Sequence, residues 1–260
     1  MAKRLVFVAW LVCAVLAVRA SAQGGVEEVE SCMRANLPER TSVQTGKLRS
    51  TGPAGSQRTL DGKIYWKRSP QDLSQTLIEI EAPADVRGSA YLVLERKDGT
   101  DMFVYLPELK RTRRVHPRTV SGSLFGTDFG YEDIQRLQTI SGGSRSERLP
   151  DSNLDGRPVY VVRSHPAPED GSAYERIVYS VDKETCVPLR VEFFGAGENL
   201  LKVVSADPGT LSRSGKGWIV RSLTVRDVKK ETQTELVVDK IELDVELPDR
   251  LFTQTNLERR

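Results

Sequence analysis

The chain has 260 residues, with 38 Lys and Arg against 36 Asp and Glu, so its net charge is close to zero. Nucleic-acid-binding domains usually carry a clear basic excess, so this balance argues against DNA or RNA as a partner. No Pro-, Gly- or Ser-rich tract divides the chain and no internal period is visible, which favours one domain, although the length alone also allows two.

The first 22 residues predict a cleavable export signal. A basic start is followed by an apolar segment over residues 5–18 and by the A-x-A pattern of a cleavage site at residues 20–22. A membrane anchor, the alternative, needs about 20 apolar residues, and Arg19 interrupts the segment too early. We therefore expect cleavage after Ala22 and a mature domain spanning residues 23–260.

Two cysteines, Cys32 and Cys186, remain after this cleavage. An even number of cysteines in an exported chain predicts a disulfide, because oxidising compartments maintain such bonds. The bond would close a loop of about 155 residues, and the chain-entropy model assigns a loop of that size roughly 4 to 5 kcal/mol. The alternative is two separate buried thiols.

One short amphipathic helix is predicted over residues 26–36. Val29 and Met33 recur at a spacing of four, acidic residues occupy the first turn, and Pro38 ends the segment. From residue 41 onward the period of the apolar residues changes to two, with Gly, Pro and Asp between the runs, which is typical of antiparallel strands.

Counting these runs predicts a mainly β protein of the α+β type, with about eleven strands and two or three helices. Such a strand-rich chain favours one strongly curved antiparallel sheet or an open barrel. A β-sandwich is the alternative, because the pattern of apolar residues does not distinguish the interior of a barrel from two packed sheets.

Residues 101–137 combine segments of different character. Residues 102–106 form a continuous apolar run, typical of a strand covered on both faces. Residues 110–118 are strongly basic and require a solvated face. Residues 121–130 mix glycine with large apolar side chains, and Tyr131 opens a segment with helical spacing that reaches Leu137 and Ile140, with Asp128 as its expected cap.

Four segments of the chain resemble the LolA-like family of outer-membrane lipoprotein-sorting proteins. The signature block of that family is similar to YLPELKRTRRV (105–115) and LFGTDFGYEDI (124–134), and two further blocks are similar to CMRANLP (32–38) and ETCVPLRVEFF (184–194). The resemblance covers nearly all of the mature chain. It implies a periplasmic carrier with an unclosed antiparallel β-barrel, a helical lid and an apolar cavity for acyl chains.

On this resemblance, seven apolar residues are expected to line or cover the cavity: Phe103, Tyr105, Leu124, Phe125, Phe129, Ile134 and Leu137. Strand parity leaves open whether Phe103 or Val104 points inward. Arg113 and Arg114 are expected to latch the lid through loop carbonyls, or to meet an anionic headgroup or a partner. A solvated strand face paired with nearby carboxylates is the alternative for the arginines, and an ordinary helix packed on the sheet is the alternative for the lid.

The motifs of common enzymes and metal sites are incomplete. His116 and His165 are each followed by proline with no nucleophile nearby, and Ser123 stands one position early for a G-x-S-x-G elbow. Residues 151–156 match the first half of an EF-hand loop, but Val162 occupies the position that requires a bidentate Glu. We therefore expect no catalytic residues, no metal and no cofactor.

Three functions remain open at this stage. The first is a monomeric periplasmic carrier of lipid or of the acyl chains of lipoproteins. The second, also implied by the resemblance, is an accessory or sensor subunit that contacts an inner-membrane exporter of the resistance-nodulation-division (RND) type. The third is a hydrolase dependent on Ser123 or His116, which would lose turnover when either residue is substituted.

Overall fold

The computed structural model describes residues 25–116, 122–138, 145–168 and 171–259. The predicted export signal, Arg118 and Ile140 lie outside these residues. The described chain contains three helices, α1 (Val26–Arg34), α2 (Tyr131–Gln138) and α3 (Gln254–Glu258). Its fifteen strands are β1 (Thr41–Thr51), β2 (Gln57–Arg68), β3 (Ser74–Ala82), β4 (Ala90–Arg96), β5 (Gly99–Leu106), β6 (Arg111–Arg114), β7 (Arg145–Leu154), β8 (Arg157–His165), β9 (Arg176–Asp182), β10 (Pro188–Phe194), β11 (Leu200–Ala206), β12 (Leu211–Ser214), β13 (Gly217–Val220), β14 (Ser222–Asp227) and β15 (Thr232–Leu243).

Thirteen of these strands form one antiparallel sheet in the order β6-β5-β4-β3-β2-β1-β15-β14-β11-β10-β9-β8-β7. The terminal strands β6 and β7 each pair on one side only, so the sheet does not close into a barrel. Strands β12 and β13 form a separate hairpin. The prediction of one large antiparallel sheet is confirmed, and the β-sandwich alternative is wrong.

The predicted number of strands, about eleven, is too low. The charged strand β7 and the four-residue strand β12 lack an apolar alternation and were missed, while β13 and β14 read as one continuous run. Periodicity detects a strand only when one face of it is buried over several residues. Short or largely exposed strands therefore escape it.

Two glycines lie opposite each other in the middle of the sheet, Gly46 in β1 and Gly62 in β2. A Cβ atom on Gly46 would lie 2.3 Å from the carbonyl oxygen of Val237, and one on Gly62 would lie 2.7 Å from that of Glu79. Each glycine adjoins a register shift in its pairing with the neighbouring strand. Bulges and close backbone approaches at glycine bend a sheet, so this pair of residues helps the sheet to curve around its inner face.

Apolar side chains are buried on both faces of the first half of the sheet. The inner face holds the larger cluster, to which α1, α2 and the loop before α2 contribute. The outer face of β3–β5 is covered by residues 245–257, in which Leu247, Phe252 and Leu257 are buried. The predicted burial of both faces of residues 102–106 is confirmed, because Met102 and Val104 face inward while Phe103 and Tyr105 face the C-terminal segment.

A disulfide joins Cys32 of α1 to Cys186 in the turn between β9 and β10, with their Cα atoms 5.7 Å apart. It fastens α1 to the sheet across a sequence separation of 154 residues. Among the described residues, no helix combines the length and the hydrophobicity needed to cross a bilayer.

Candidate functional site

The loop before α2 carries large apolar side chains into the interior of the sheet. Its two ends pair at Ser123 and Gly130, and the amide of Leu124 donates to the carbonyl of Phe129 at 2.7 Å. Between them Phe125 and Gly126 have positive φ angles, which closes a tight turn. This turn directs Leu124 and Phe129 inward, where both side chains are fully buried.

A small apolar cavity of about 40 Å³ lies between this loop and the sheet. Its sheet side includes Ile64, Ile78 and Ile80, and its cover includes Phe129 of the loop and Ile134 of α2. A cavity of this size has room for little more than a water molecule. An acyl chain would therefore need the surrounding elements to move.

A larger apolar cleft, of about 240 Å³, lies further along the inner face. Its floor is formed by strands β1, β11, β14 and β15, and its roof by the end of α1 and by the β12–β13 hairpin. Leu137 of α2 closes the cleft at one end, and Gln44 of β1 lines both this cleft and the small cavity. The side chains of α2 thus separate two adjoining apolar spaces.

The cleft opens to a polar depression of about 680 Å³ at the end of the sheet. Leu37, Ser214 and Leu243 line both spaces. Arg34, Arg68 and Lys216 surround the depression, and each of them forms an ion pair with a nearby carboxylate. The interior therefore has an apolar part and a polar mouth.

A buried carboxylate holds α2 against the sheet. Asp133 has no exposed surface, and it accepts hydrogen bonds from the ammonium of Lys202 at 2.6 Å, the backbone amide of Gly130 at 2.6 Å and the hydroxyl of Tyr174. Burial and the neighbouring Asp133 carboxylate raise the pKa of Tyr174 well above its ordinary value, so its hydroxyl remains a donor. Three separate segments of the chain thus converge on one side chain of α2.

A second buried carboxylate of α2 extends this network. Glu132, which is 2% exposed, accepts from Arg136 at 3.3 Å, from the amide of Ala173 at 3.0 Å and from the hydroxyl of Ser172. Removing one partner of a buried ion pair costs about 3 to 5 kcal/mol, because the other charge is left unpaired. The contacts of Glu132 and Asp133 therefore bind α2 firmly in place.

Asp128 does not cap α2, contrary to the sequence prediction. Its carboxylate accepts from the hydroxyls of Thr232 and Thr234 in β15, and its carbonyl oxygen accepts from the ammonium of Lys202 at 2.9 Å. These residues lie more than 70 positions away in the chain, so their proximity to Asp128 could not be inferred from the local pattern. The acidic triplet Asp128, Glu132 and Asp133 was visible in the sequence, but its partners were not.

Five of the seven predicted cavity residues lie with the inner cluster. Leu124, Phe125 and Phe129 belong to it, and Ile134 and Leu137 pack against it from α2. Phe103 and Tyr105 differ, because both lie in the outer cluster beneath the C-terminal segment and thus face away from the cavity. Every residue of the run 102–106 is apolar, so the pattern does not reveal which alternate side chains point inward.

Arg113 and Arg114 lie on β6, the exposed edge of the sheet. Arg114 pairs with Asp101 on the neighbouring strand at 2.5 Å, which matches the solvated-face alternative. Neither arginine has a hydrogen bond to residues 122–138 in the described part of the chain. Lys202 in β11, and not Arg113 or Arg114, supplies a cationic contact from the sheet to α2.

Ser123, one of the two residues named for a hydrolase, and His165 each lie within hydrogen-bonding distance of a backbone carbonyl. The hydroxyl of Ser123 donates to the carbonyl of Thr127 at 2.5 Å within the loop before α2. A ring nitrogen of His165 lies 3.0 Å from the carbonyl oxygen of Glu175.

A family model described as that of an uncharacterized-protein-like family matches residues 72–259 of the chain. This range includes the loop, α2 and all the described strands from β3 onward. A comparison with curated proteins found no match.

Three solved structures share the fold. A domain described as that of an outer-membrane lipoprotein-sorting protein, from Vibrio parahaemolyticus, is 25% identical with a TM-score of 0.81, and the match covers 90% of this chain and 98% of that one. A DUF1329 family protein from Desulfovibrio piger is 24% identical with a TM-score of 0.81, covering 89% and 98%. A LolA superfamily protein from Nitrosomonas europaea is 18% identical with a TM-score of 0.72, covering 90% and 99%.

Proposed function

We propose that the chain is a LolA-like periplasmic carrier, because it shares its fold with a lipoprotein-sorting domain and with a LolA superfamily protein. It binds a lipid, or the acyl chains of a lipoprotein, in its apolar interior and delivers this cargo towards the outer membrane. Residues 1–22 serve as the export signal, and the mature carrier acts as a monomer without a catalytic step.

The observation that carries this proposal is the arrangement of the two apolar spaces on the inner face of an unclosed sheet. Packed side chains fill the interior of most proteins with few voids, whereas this interior keeps a cleft of about 240 Å³ beside the small cavity. Burial of an acyl chain with about 14 methylenes stabilises a complex by roughly 11 kcal/mol before the costs of ordering and opening. A free energy of this size, reduced by those costs, suits a carrier that must bind its cargo tightly and still release it.

The direct test is native mass spectrometry of residues 23–260, purified from the periplasm without detergent and followed by solvent extraction and lipid identification. We expect a co-purifying acylated species. Ile134→Lys places a charge against the small apolar cavity, which Ile134 lines, and should abolish loading. Leu251→Lys is the matched control, because Leu251 packs in the outer cluster, and it should retain loading.

The carrier proposal would be contradicted if the protein showed only the mass of the ligand-free chain, both as purified and after exposure to lipids and lipoproteins. A second candidate would then lead, namely an accessory subunit of an RND-type exporter. The exposed edge strand β6 favours it, because Arg111 and Arg113 have no ion-pair partner within the described ranges and an unpaired strand edge can accept a partner strand. Stable capture of a membrane transporter by the cargo-free protein, lost in an Arg111→Glu, Arg113→Glu variant, would support this candidate.

A further inference from the structure

The two apolar spaces differ in how firmly they are covered. The small cavity lies beneath α2 and the loop before it, and the carboxylates of α2 are held from outside the helix by Lys202, Tyr174 and the amide of Ala173. Opening this cover would leave buried charges without their partners. The element that opens for a ligand is expected to have fewer buried contacts, since mobile segments are drawn from the least stable parts of a fold.

The roof of the larger cleft consists of two parts, and one of them is fastened. The end of α1 is joined to the turn after β9 by the disulfide between Cys32 and Cys186. Close to this bond, the side-chain amide of Asn36 donates to the carbonyl of Thr185 at 2.9 Å. The end of α1 therefore stays with the sheet while a ligand enters.

The other part of the roof is the β12–β13 hairpin, which is not paired with the main sheet. An isolated two-stranded hairpin is at best marginally stable in water. In the described structure its tip is held to the segment that follows α1 by a hydrogen bond from the amide of Trp218 to the side-chain oxygen of Asn36, at 2.8 Å, and by an ion pair between Lys216 and Glu39 at 2.6 Å. The ion pair is largely exposed and contributes little.

The space beneath this hairpin is large enough for part of an acyl chain. At about 240 Å³ it exceeds the roughly 150 Å³ of an engineered apolar cavity that binds benzene. Apolar side chains line it from the hairpin above and from the strands below. Those above are Trp218, Ile219 and Val220, and those below are Val204, Leu223 and Ile241.

We propose that the cleft beneath the β12–β13 hairpin is the site at which the acyl chain enters and is held, and that this hairpin, rather than α2, is the element that opens. This inference rests on the proposed carrier function and deepens it. The side chain of Asn36 holds the hairpin closed, because it accepts a hydrogen bond from the amide of Trp218 and donates one to the carbonyl of Thr185. Leu137 of α2 forms the inner end of the site.

The polar depression outside the cleft indicates the kind of headgroup. Its basic side chains Arg34, Arg68 and Lys216 already pair with Glu30, Asp72 and Glu39. An anionic headgroup would have to compete with these carboxylates, whereas a zwitterionic one can interact with both signs of charge. The expected ligand is therefore an acylated amphiphile with a zwitterionic headgroup.

The chain offers a reporter for this site. It has three tryptophans, Trp10 in the predicted leader, Trp66 and Trp218, so Trp66→Phe leaves Trp218 as the single tryptophan of the mature protein. The probe is lysophosphatidylcholine with a dibrominated stearoyl chain, since bromine quenches tryptophan fluorescence on close approach. We expect saturable quenching of Trp218, less quenching of Trp66 in the matched Trp218→Phe variant, and none with the unbrominated lipid.

Native mass spectrometry of the same mixtures separates the possible failures. A probe that binds without quenching Trp218 would overturn the cleft as the site and leave the carrier function standing. Absence of any bound lipid, with this probe and with periplasmic extracts, would overturn the carrier function itself.

The opening element is tested by stopped-flow measurement of the same quenching. Asn36→Ala removes one hydrogen bond that holds the hairpin closed, so the association rate should rise about fivefold. Asn153→Ala is the matched control, because it removes an exposed turn contact to Gly156, and it should leave the rate unchanged. Faster association in Lys202→Met with no change in Asn36→Ala would assign the opening to α2 and overturn the proposal. If circular dichroism shows that Asn36→Ala is unfolded, the quenching of Trp218 in Trp66→Phe decides the site without any change in the hairpin.

Discussion

The ammonium of Lys202 in β11 lies 2.6 Å from the carboxylate of Asp133 in α2, and the Asp133 side chain is completely buried. The two residues are 69 positions apart in the chain. This pair, with Tyr174 and Gly130 as additional donors, ties the helix that covers the inner face to the second half of the sheet. It makes α2 a fixed wall of the interior.

Lys202→Met should lower the free energy of unfolding by about 3 to 5 kcal/mol, because Asp133 would remain buried without its cationic partner. Urea denaturation followed by circular dichroism measures the change. Lys240→Met is the control, since Lys240 forms an exposed pair with Glu242 and its loss should cost less than about 1 kcal/mol. Equal losses in the two variants would show that the Lys202 pair is no stronger than a surface contact.

The opposite faces of the sheet predict different effects for two phenylalanines. Phe129→Ala should destabilise the protein by about 3 to 5 kcal/mol, because its side chain is fully buried in the inner cluster, and Phe103→Ala should cost less, because Phe103 is only partly buried against the outer cluster. Only Phe129→Ala should alter the amount of co-purifying acylated cargo, since Phe103 lies on the outer face. Loading measured by native mass spectrometry at a temperature where both variants are folded tests this. A loss of cargo in Phe103→Ala alone would contradict the assigned faces.

Loss of the disulfide should destabilise the protein and loosen α1. The Cys32→Ser, Cys186→Ser double variant should lose about 2 to 5 kcal/mol, the usual cost of removing a bond that closes a long loop. Thermal denaturation of the oxidised protein, the reduced protein and the double variant measures it. The reduced protein and the variant should agree with each other. Alkylation of two thiols in the native protein without reductant would contradict the bond.

Asp182 should make the stability of the protein acid-sensitive. Burial opposes its ionisation, but hydrogen bonds from Arg157 and Thr185 outweigh burial and lower the pKa of its carboxyl below the ordinary value. Because the folded pKa is depressed, this stabilisation is complete above the unfolded pKa of about 3.9 and is lost as the pH falls through the lower folded pKa. Asp182→Asn should therefore destabilise the protein at pH 7, and its difference from the native chain should shrink below about pH 4. Asp98→Asn, in an exposed turn, serves as the control, and a difference independent of pH would contradict the linkage.

A side chain at position 46 should destabilise the protein. A Cβ atom there would meet the carbonyl oxygen of Val237 at 2.3 Å, and this backbone group belongs to the neighbouring strand. Gly46→Ala should cost about 1 to 3 kcal/mol, as other overpacking substitutions do. In the control Gly195→Ala, the new atom would meet the flexible side chain of Leu201, so a smaller cost is expected. Comparable denaturation midpoints for the two variants would show that β15 adjusts freely.

Local patterns in the sequence were sufficient for several features of the fold. The change from a period of four to a period of two placed α1 before the first strand, and the length of the helical pattern after residue 130 located α2. The pairing of Cys32 with Cys186 followed from the count of cysteines in the mature chain. The apolar side chains Leu124, Phe129 and Ile134 were recognised as part of the interior, because a loop of such composition requires an apolar surface.

Other features depended on the order and register of distant strands. In the run 102–106 every side chain is apolar, so only the structure shows that Met102 and Val104 face inward and that Phe103 and Tyr105 face the C-terminal segment. The partners of Asp133 come from β11 and from the segment before β9, which no local period identifies.

The sequence by itself therefore determined the class of the protein, the kind of strands it forms and the residues that need burial, because these properties follow from hydrophobicity and from side-chain spacing along the chain. The tertiary structure decided which side chains of each strand point inward, which cation holds α2 against the sheet and which element covers the larger cleft. These properties arise where residues far apart in the chain meet. A shift of one position in strand register would turn every side chain of that strand to the opposite face of the sheet.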